Sequence, residues 1–143
     1  MHISQLTKDS KEKLIDYVEE NIIPKELIVK ILRSESAEEL VKAITTLYNI
    51  NDQTKKDIWY HIITKETDID VYHIIFLRKL LNNKGFVRKV DIYKSKILNT
   101  DFKIRRAAKK LFQKGLIQIY SLSNQDIVYT LDIKYYLEAT NEN

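Results

Sequence analysis

DIYKSKILNTDFKIRRAAKKLFQKGLIQIYSLSNQDIVYTL, residues 91–131, decides the fold of this 143-residue chain. It reads as a helix over Asp91–Leu98, a tight turn through Asn99 and Thr100, a helix over 101–114, and two strands bracketing a turn. The second helix is the informative one. At 100° per residue, Ile104, Ala107, Ala108, Leu111 and Phe112 share one side. Phe102, Arg106, Lys109 and Gln113 point the other way. Six cations, Lys103, Arg105, Arg106, Lys109, Lys110 and Lys114, crowd the surface left outside the apolar stripe. Gly115 stands where the helix should end and suits the left-handed conformation of a C-terminal cap. LIQIY and IVYTL are rich in β-branched and aromatic residues, and the polar run Ser121–Asp126 between them reads as a hairpin turn.

Three features carry a resemblance: the spacing of Ile104 and Ala108, the following Leu111, and the junction Lys114-Gly115-Leu116-Ile117. With the order helix, helix, hairpin, they make residues 70–132 similar to the winged helix-turn-helix DNA-binding family. The resemblance implies a second helix lying in the major groove and a hairpin, the wing, approaching the backbone. The wing residues are then Ser123, Asn124 and Gln125. This turn holds no Lys or Arg and ends on Asp126. A partial likeness to MarR-type regulators, which are dimers of similar length, extends the comparison. Those regulators have helices after the wing, whereas only about a dozen residues follow it here.

Charge is segregated along the chain. Residues 1–70 hold 10 Lys/Arg and 14 Asp/Glu, and residues 71–143 hold 14 and 6, so the net +4 divides into −4 and +8. A surplus of this kind, coinciding with a helix-turn-helix pattern, suggests that the C-terminal half faces a polyanion. The plain alternative is a solvated, Lys-rich face. There is no cysteine, hence no disulfide framework and no thiolate metal site. No apolar run approaches the ~20 residues of a membrane span, and the polar N-terminus lacks the apolar core of a signal peptide. A cytoplasmic protein is expected.

In order, residues 1–10 are polar and expected to fray. Helices are expected over 11–21 and 25–33, the latter with Pro24 in its first turn. A third follows a Ser36–Glu39 capping box. A fourth opens at Asn51 or Asp52 and should bury Ile58, Trp59, Ile62 and Ile63. A long apolar helix then runs from Asp68 or Asp70 to Asn83, with Gly85 closing it, and Phe86–Val90 could be the first strand. A short helix is expected after Ile133. The fold class is therefore mainly α. An N-terminal helical region, 1–67, serves docking or dimerisation, and a winged helix-turn-helix with a small β-hairpin occupies 68–143.

Signs of catalysis are thin. His2, His61 and His73 are scattered, with no paired metal-ligand spacing. The two glycines are 30 residues apart, so no phosphate loop exists. Asp52, Asp57, Glu66, Asp68 and Asp70 are better explained as helix N-terminal acids than as a metal cluster. No enzyme activity, cofactor or metal is expected. Most of the nine tyrosines should be core.

The leading expectation is a sequence-specific double-stranded DNA-binding protein, a transcriptional regulator. Arg105, Arg106 and Lys109, with Phe102 and Gln113, would reach base edges. Thr100, Lys103, Lys110, Lys94 and Lys96 would hold phosphates. A homodimer through the N-terminal helices would double the site. The alternatives are a winged-helix protein-interaction module and a replication or plasmid-maintenance factor.

Overall fold

The computed structural model describes residues 3–122 and 125–141, with side chains from Lys8 onward. Eight helices and three strands follow in the order α1(Ile3–Glu19), α2(Lys25–Arg33), α3(Ala37–Thr45), α4(Asp52–Lys65), α5(Val71–Asn82), β1(Phe86–Arg88), α6(Lys89–Ile92), α7(Asp101–Gln113), β2(Ile117–Ser121), β3(Ile127–Leu131) and α8(Ile133–Asn141). Among these residues no helix is long and apolar enough to cross a membrane.

The sheet is antiparallel with order β1-β3-β2. Phe86 faces Thr130 across β1 and β3, and Ile119 faces Tyr129 across β2 and β3. Both faces of this sheet are covered. Ile117, Ile119, Tyr129 and Leu131 join Phe76, Leu77, Leu80, Ile104 and Leu111 of α5 and α7 in one core. Tyr120 and Val128 join Leu14, Ile28, Ile31, Leu40 and Ile44 of α1–α3, together with Ile133, in a second. The molecule is layered, with the sheet in the middle. The short strands alternate in the usual way, but the face a hairpin wing would show to water is here the floor of a second core.

That layering overturns one expectation. Residues 3–10 do not fray; α1 begins at Ile3 and packs along β2. Ser10 is fully buried, and its Oγ accepts the Ile119 N–H at 3.0 Å. In an antiparallel pair alternate amides of an edge strand point away from the ladder, so α1 satisfies an edge that would otherwise invite another strand. Lys13 Nζ adds a cation–π contact, 4.1 Å from the Phe112 ring centre.

Several local signals held. Ser36 caps α3 through the Glu39 N–H at 3.2 Å, although the Glu39 carboxylate takes the Glu35 N–H rather than that of Ser36. Asn51 caps α4 and Asp70 caps α5. Gly115, at φ 79°, closes α7 with paired bonds, Leu116 N–H to Leu111 O and Gly115 N–H to Phe112 O. The α5 end differs. Lys84 takes the left-handed position at φ 63°, and Gly85, at φ 96°, donates to Leu80 O. Gly85 is needed for a second reason: a Cβ there would lie 3.0 Å from Ile50 Cδ1.

Two helix expectations need correction. Residues 91–98 do not form one helix. α6 stops at Ile92, and the chain turns through 93–98. Ser95 Oγ accepts the N–H groups of Ile97 and Leu98, both at 3.2 Å. A serine that bonds its own neighbourhood in this way competes with helix continuation. In α4, Ile63 is 73% exposed; the buried side chains are Ile58, His61 and Ile62. The i, i+3, i+4 stripe passes through His61, whose ring packs edge-on to Tyr135 at 5.1 Å. The histidine occupies the inward position that hydropathy alone awards to Ile63.

Candidate nucleic-acid interface

α7 is built as its sequence requires. Its five apolar residues are all buried, and Thr100 caps it by accepting the Lys103 N–H at 3.2 Å. Asp101, the first residue of the helix, ties it to α6. Lys89 donates to Asp101 Oδ1, the Tyr93 hydroxyl approaches the same oxygen at 3.3 Å, and Arg105 reaches Oδ2 at 3.4 Å. The hydrogen bond from Lys89 holds the Asp101 carboxyl below the usual range. A carboxylate here also suits the helix N-terminus. The same constellation fixes the angle at which α7 leaves the turn.

The expected site residues divide into groups. Phe102, Lys103, Arg106, Lys109, Lys110 and Gln113 line one cleft of about 640 Å³ together with Asp68, Asp70, Tyr72 and His73 from the start of α5. Phe102, Arg106, Lys109 and Gln113 are exposed and make a stripe at i, i+4, i+7 and i+11. Among the described residues Arg106 and Lys109 make no ion pair. Arg105 turns aside to Asp101. Lys94 and Lys96 lie on the turn after α6, Lys94 paired with Asp91 at 3.3 Å and Lys96 exposed. Thr100 spends its hydroxyl on the cap. Lys103 bonds Asn99 Oδ1 at 3.2 Å.

Two acids in the cleft were expected only as helix N-terminal acids, alternatives for the start of α5. Asp68, in the left-handed conformation at φ 60°, reaches across to Lys110, with the Nζ at 2.5 Å. Lys110 in turn holds the Asp68 carboxyl below its ordinary value. Asp70 is consumed by its cap: it accepts the N–H groups of Tyr72 and His73, and its own N–H donates to His73 Nδ1 at 3.1 Å. This reciprocal box was legible in the Asp-x-x-His spacing. Because Nδ1 accepts, the ring carries its proton on Nε2 and is neutral. Burial pushes its pKa down, in the same sense. The 3.1 Å approach of Nδ1 to the Asp70 carboxylate is therefore no ion pair.

At the hairpin, Ser123 and Asn124 lie outside the described residues. Gln125 does not, and takes φ 63° in the turn. The acid that ends the turn is neutralised: Arg88 of β1 donates to Asp126 at 2.5 Å, and its own pKa is raised by that bond. A cation thus stands beside the turn although the turn sequence contains none. No spacing signal predicts a pair 38 residues apart.

Among the described residues no group of three or more His, Asp or Glu converges as a metal site. Tyr17, Tyr120, Tyr129, Tyr135 and Tyr136 are buried, whereas Tyr60, Tyr72 and Tyr93 are exposed.

Comparison of the chain with protein-family models, curated proteins and solved structures finds no match.

Proposed function

We propose that this protein binds double-stranded DNA sequence-specifically as a transcriptional regulator, reading the major groove with α7 in a winged helix-turn-helix. The observation that carries the reading is the stripe of α7. Arg106, Lys109 and Gln113 are exposed, and among the described residues neither cation makes an ion pair. An exposed arginine on a rigid helix suits a bidentate contact to guanine. The element order α5-β1-α6-α7-β2-β3 and the sheet order β1-β3-β2 support the same reading.

Phosphate contacts fall to Lys94, Lys96 and Lys103, with Lys110 joining them once it leaves Asp68, and Arg88 serves beside the hairpin. The Thr100 backbone at the start of α7 adds the helix N-terminus. The assignment is one of binding rather than catalysis, and it needs no cofactor. Such a regulator works in the cytoplasm as a homodimer through its N-terminal region. The buried apolar side chains of α1–α3 pack against one another and the sheet, and Ile15 of α1 with Tyr60 and Ile63 of α4, 45%, 71% and 73% exposed, is offered for that contact.

The same exposed side chains favour the second reading, a protein-interaction module of a larger assembly such as a replication or plasmid-maintenance complex. The test is binding of random duplex DNA at about 50 and about 200 mM salt, with Arg106→Ala alongside. For roughly six phosphate contacts, affinity should fall by about 10³ between the two salts. Arg106→Ala should weaken binding. Absence of binding at low salt would overturn the DNA reading in favour of the second.

A further inference from the structure

Phe102 is out of place on a solvated helix face. It is 70% exposed, in the first turn of α7. It is not needed to start the helix, because Thr100 caps it, nor to anchor it, because five other side chains fill the core face. Tyr72, in the first turn of α5, is the second exposed ring of the same cleft. Four cations and two carboxylates surround the two rings: Lys103, Arg106, Lys109 and Lys110 against Asp68 and Asp70. Both carboxylates are already engaged, Asp68 by Lys110 and Asp70 by two backbone amides of α5. What the cleft offers a ligand is two aromatic surfaces, two cations that make no ion pair among the described residues, and the polar ends of Gln113 and His73.

We infer that this cleft is a nucleotide site: it takes one unpaired base by stacking on Phe102 and Tyr72, with the adjoining phosphate on Arg106 and Lys109. The inference rests on the DNA reading for its setting. Its chemistry stands separately, since stacking accepts any base and is strong enough to matter one base at a time. The volume, about 640 Å³, lies within the ~300–1,000 Å³ of small-ligand pockets. It is large enough for one nucleotide. The nucleotide could come from two sources, a base displaced from a DNA strand or a free mononucleotide.

Two arms of one experiment separate them. Anisotropy at low salt compares a fluorescent perfect duplex with the same duplex carrying one bulged thymidine, and unlabelled dTMP is then added as competitor. The bulged duplex should bind about tenfold tighter. The ratio should collapse towards one in Phe102→Leu and fall in Tyr72→Leu. Both rings are exposed, so both variants should keep the wild-type circular dichroism spectrum. Competition by dTMP identifies the free nucleotide as sufficient; a bulge preference without competition assigns the site to displaced bases. Equal affinity for the two duplexes with no effect of dTMP overturns the inference and leaves the DNA reading intact. So does a preference that survives both substitutions. Binding of the bulged duplex alone, lost in Phe102→Leu, keeps the cleft and removes the perfect-duplex reading. No binding of any probe removes both.

Discussion

The Tyr17 hydroxyl lies 2.9 and 3.1 Å from the two carboxylate oxygens of Asp132, 115 residues further along the chain. Asp132 is itself buried and caps α8 by accepting the Tyr135 N–H at 3.0 Å. Gln118 of β2 donates to the same carboxylate at 3.0 Å, and the Tyr120 hydroxyl donates to Gln118 Oε1. A buried anion without a cation persists only if its lone pairs are filled. Here α1, β2 and α8 fill them jointly. Burial first, and then the neighbouring Asp132 charge, push the Tyr17 phenol far above its ordinary value, so it remains a donor. The junction between the N-terminal helices and the sheet is therefore a polar lock set inside an apolar seam.

Tyr17→Phe removes one donor from that carboxylate and leaves the ring packing in place. Stability should fall by about 1–3 kcal/mol, the range for depriving a buried polar group of a partner. Urea unfolding would measure it. A change below a few tenths of a kcal/mol would show that water replaces the phenol.

Asp68→Asn should release Lys110 from its ion pair at little cost to the fold, since the pair is exposed at the surface. If α7 faces phosphates, one more cation becomes available. Duplex affinity at low salt should rise, and the slope of log affinity against log salt should steepen by about 0.9. An unchanged slope in titrations at several salts would place Lys110 away from the DNA.

The box between Asp70 and His73 makes stability depend on pH. Burial lowers the folded-state pKa of His73 below 6.5, and Lys110 and Lys114 act in the same direction against the opposing charges of Asp70 and Asp68. The unfolded chain therefore binds the proton more readily. The stabilisation is fully present above pH 6.5 and is lost as pH falls below it through the folded value. Melting temperature should drop across that window. In His73→Leu it should be lower throughout, with that part of the pH dependence gone.

The two glycines should respond differently to alanine. At Gly115 the only cost is the left-handed backbone, φ 79°, with nothing within 4 Å of the new Cβ. About 1 kcal/mol is expected. At Gly85 the same strain, φ 96°, is joined by contacts of 3.0 Å to Ile50 Cδ1 and 3.3 Å to the Tyr48 ring. Tyr48 also donates to Leu131 O and packs edge-on to Tyr136 at 5.0 Å, so it cannot easily retreat. Gly85→Ala should be the more destabilising change in parallel denaturation curves.

What the sequence determined by itself is local. Periodicity placed the five buried residues of α7, the two strands and the tail helix, because burying one face of a helix or strand leaves its period in the order of residues. The caps at Ser36, at Asn51 or Asp52 and at Asp68 or Asp70 were legible because a cap is a bond between residues two or three positions apart. The exposed stripe of Phe102, Arg106, Lys109 and Gln113 followed from the same geometry. The tertiary structure decided everything that depends on distant partners. Ser10 looked like the end of a frayed segment until Ile119 supplied its donor. His61 took the inward place of Ile63 because Tyr135 was there to meet its ring. Asp126 read as an acid at the hairpin until Arg88 neutralised it, and Lys110 read as a free cation until Asp68 engaged it. The sheet acquired a second covered face only because α1–α3 return to it. A contact across 40 or 115 residues leaves no period and no spacing in the chain, since its energy depends on where the fold brings two side chains and not on how far apart they are written.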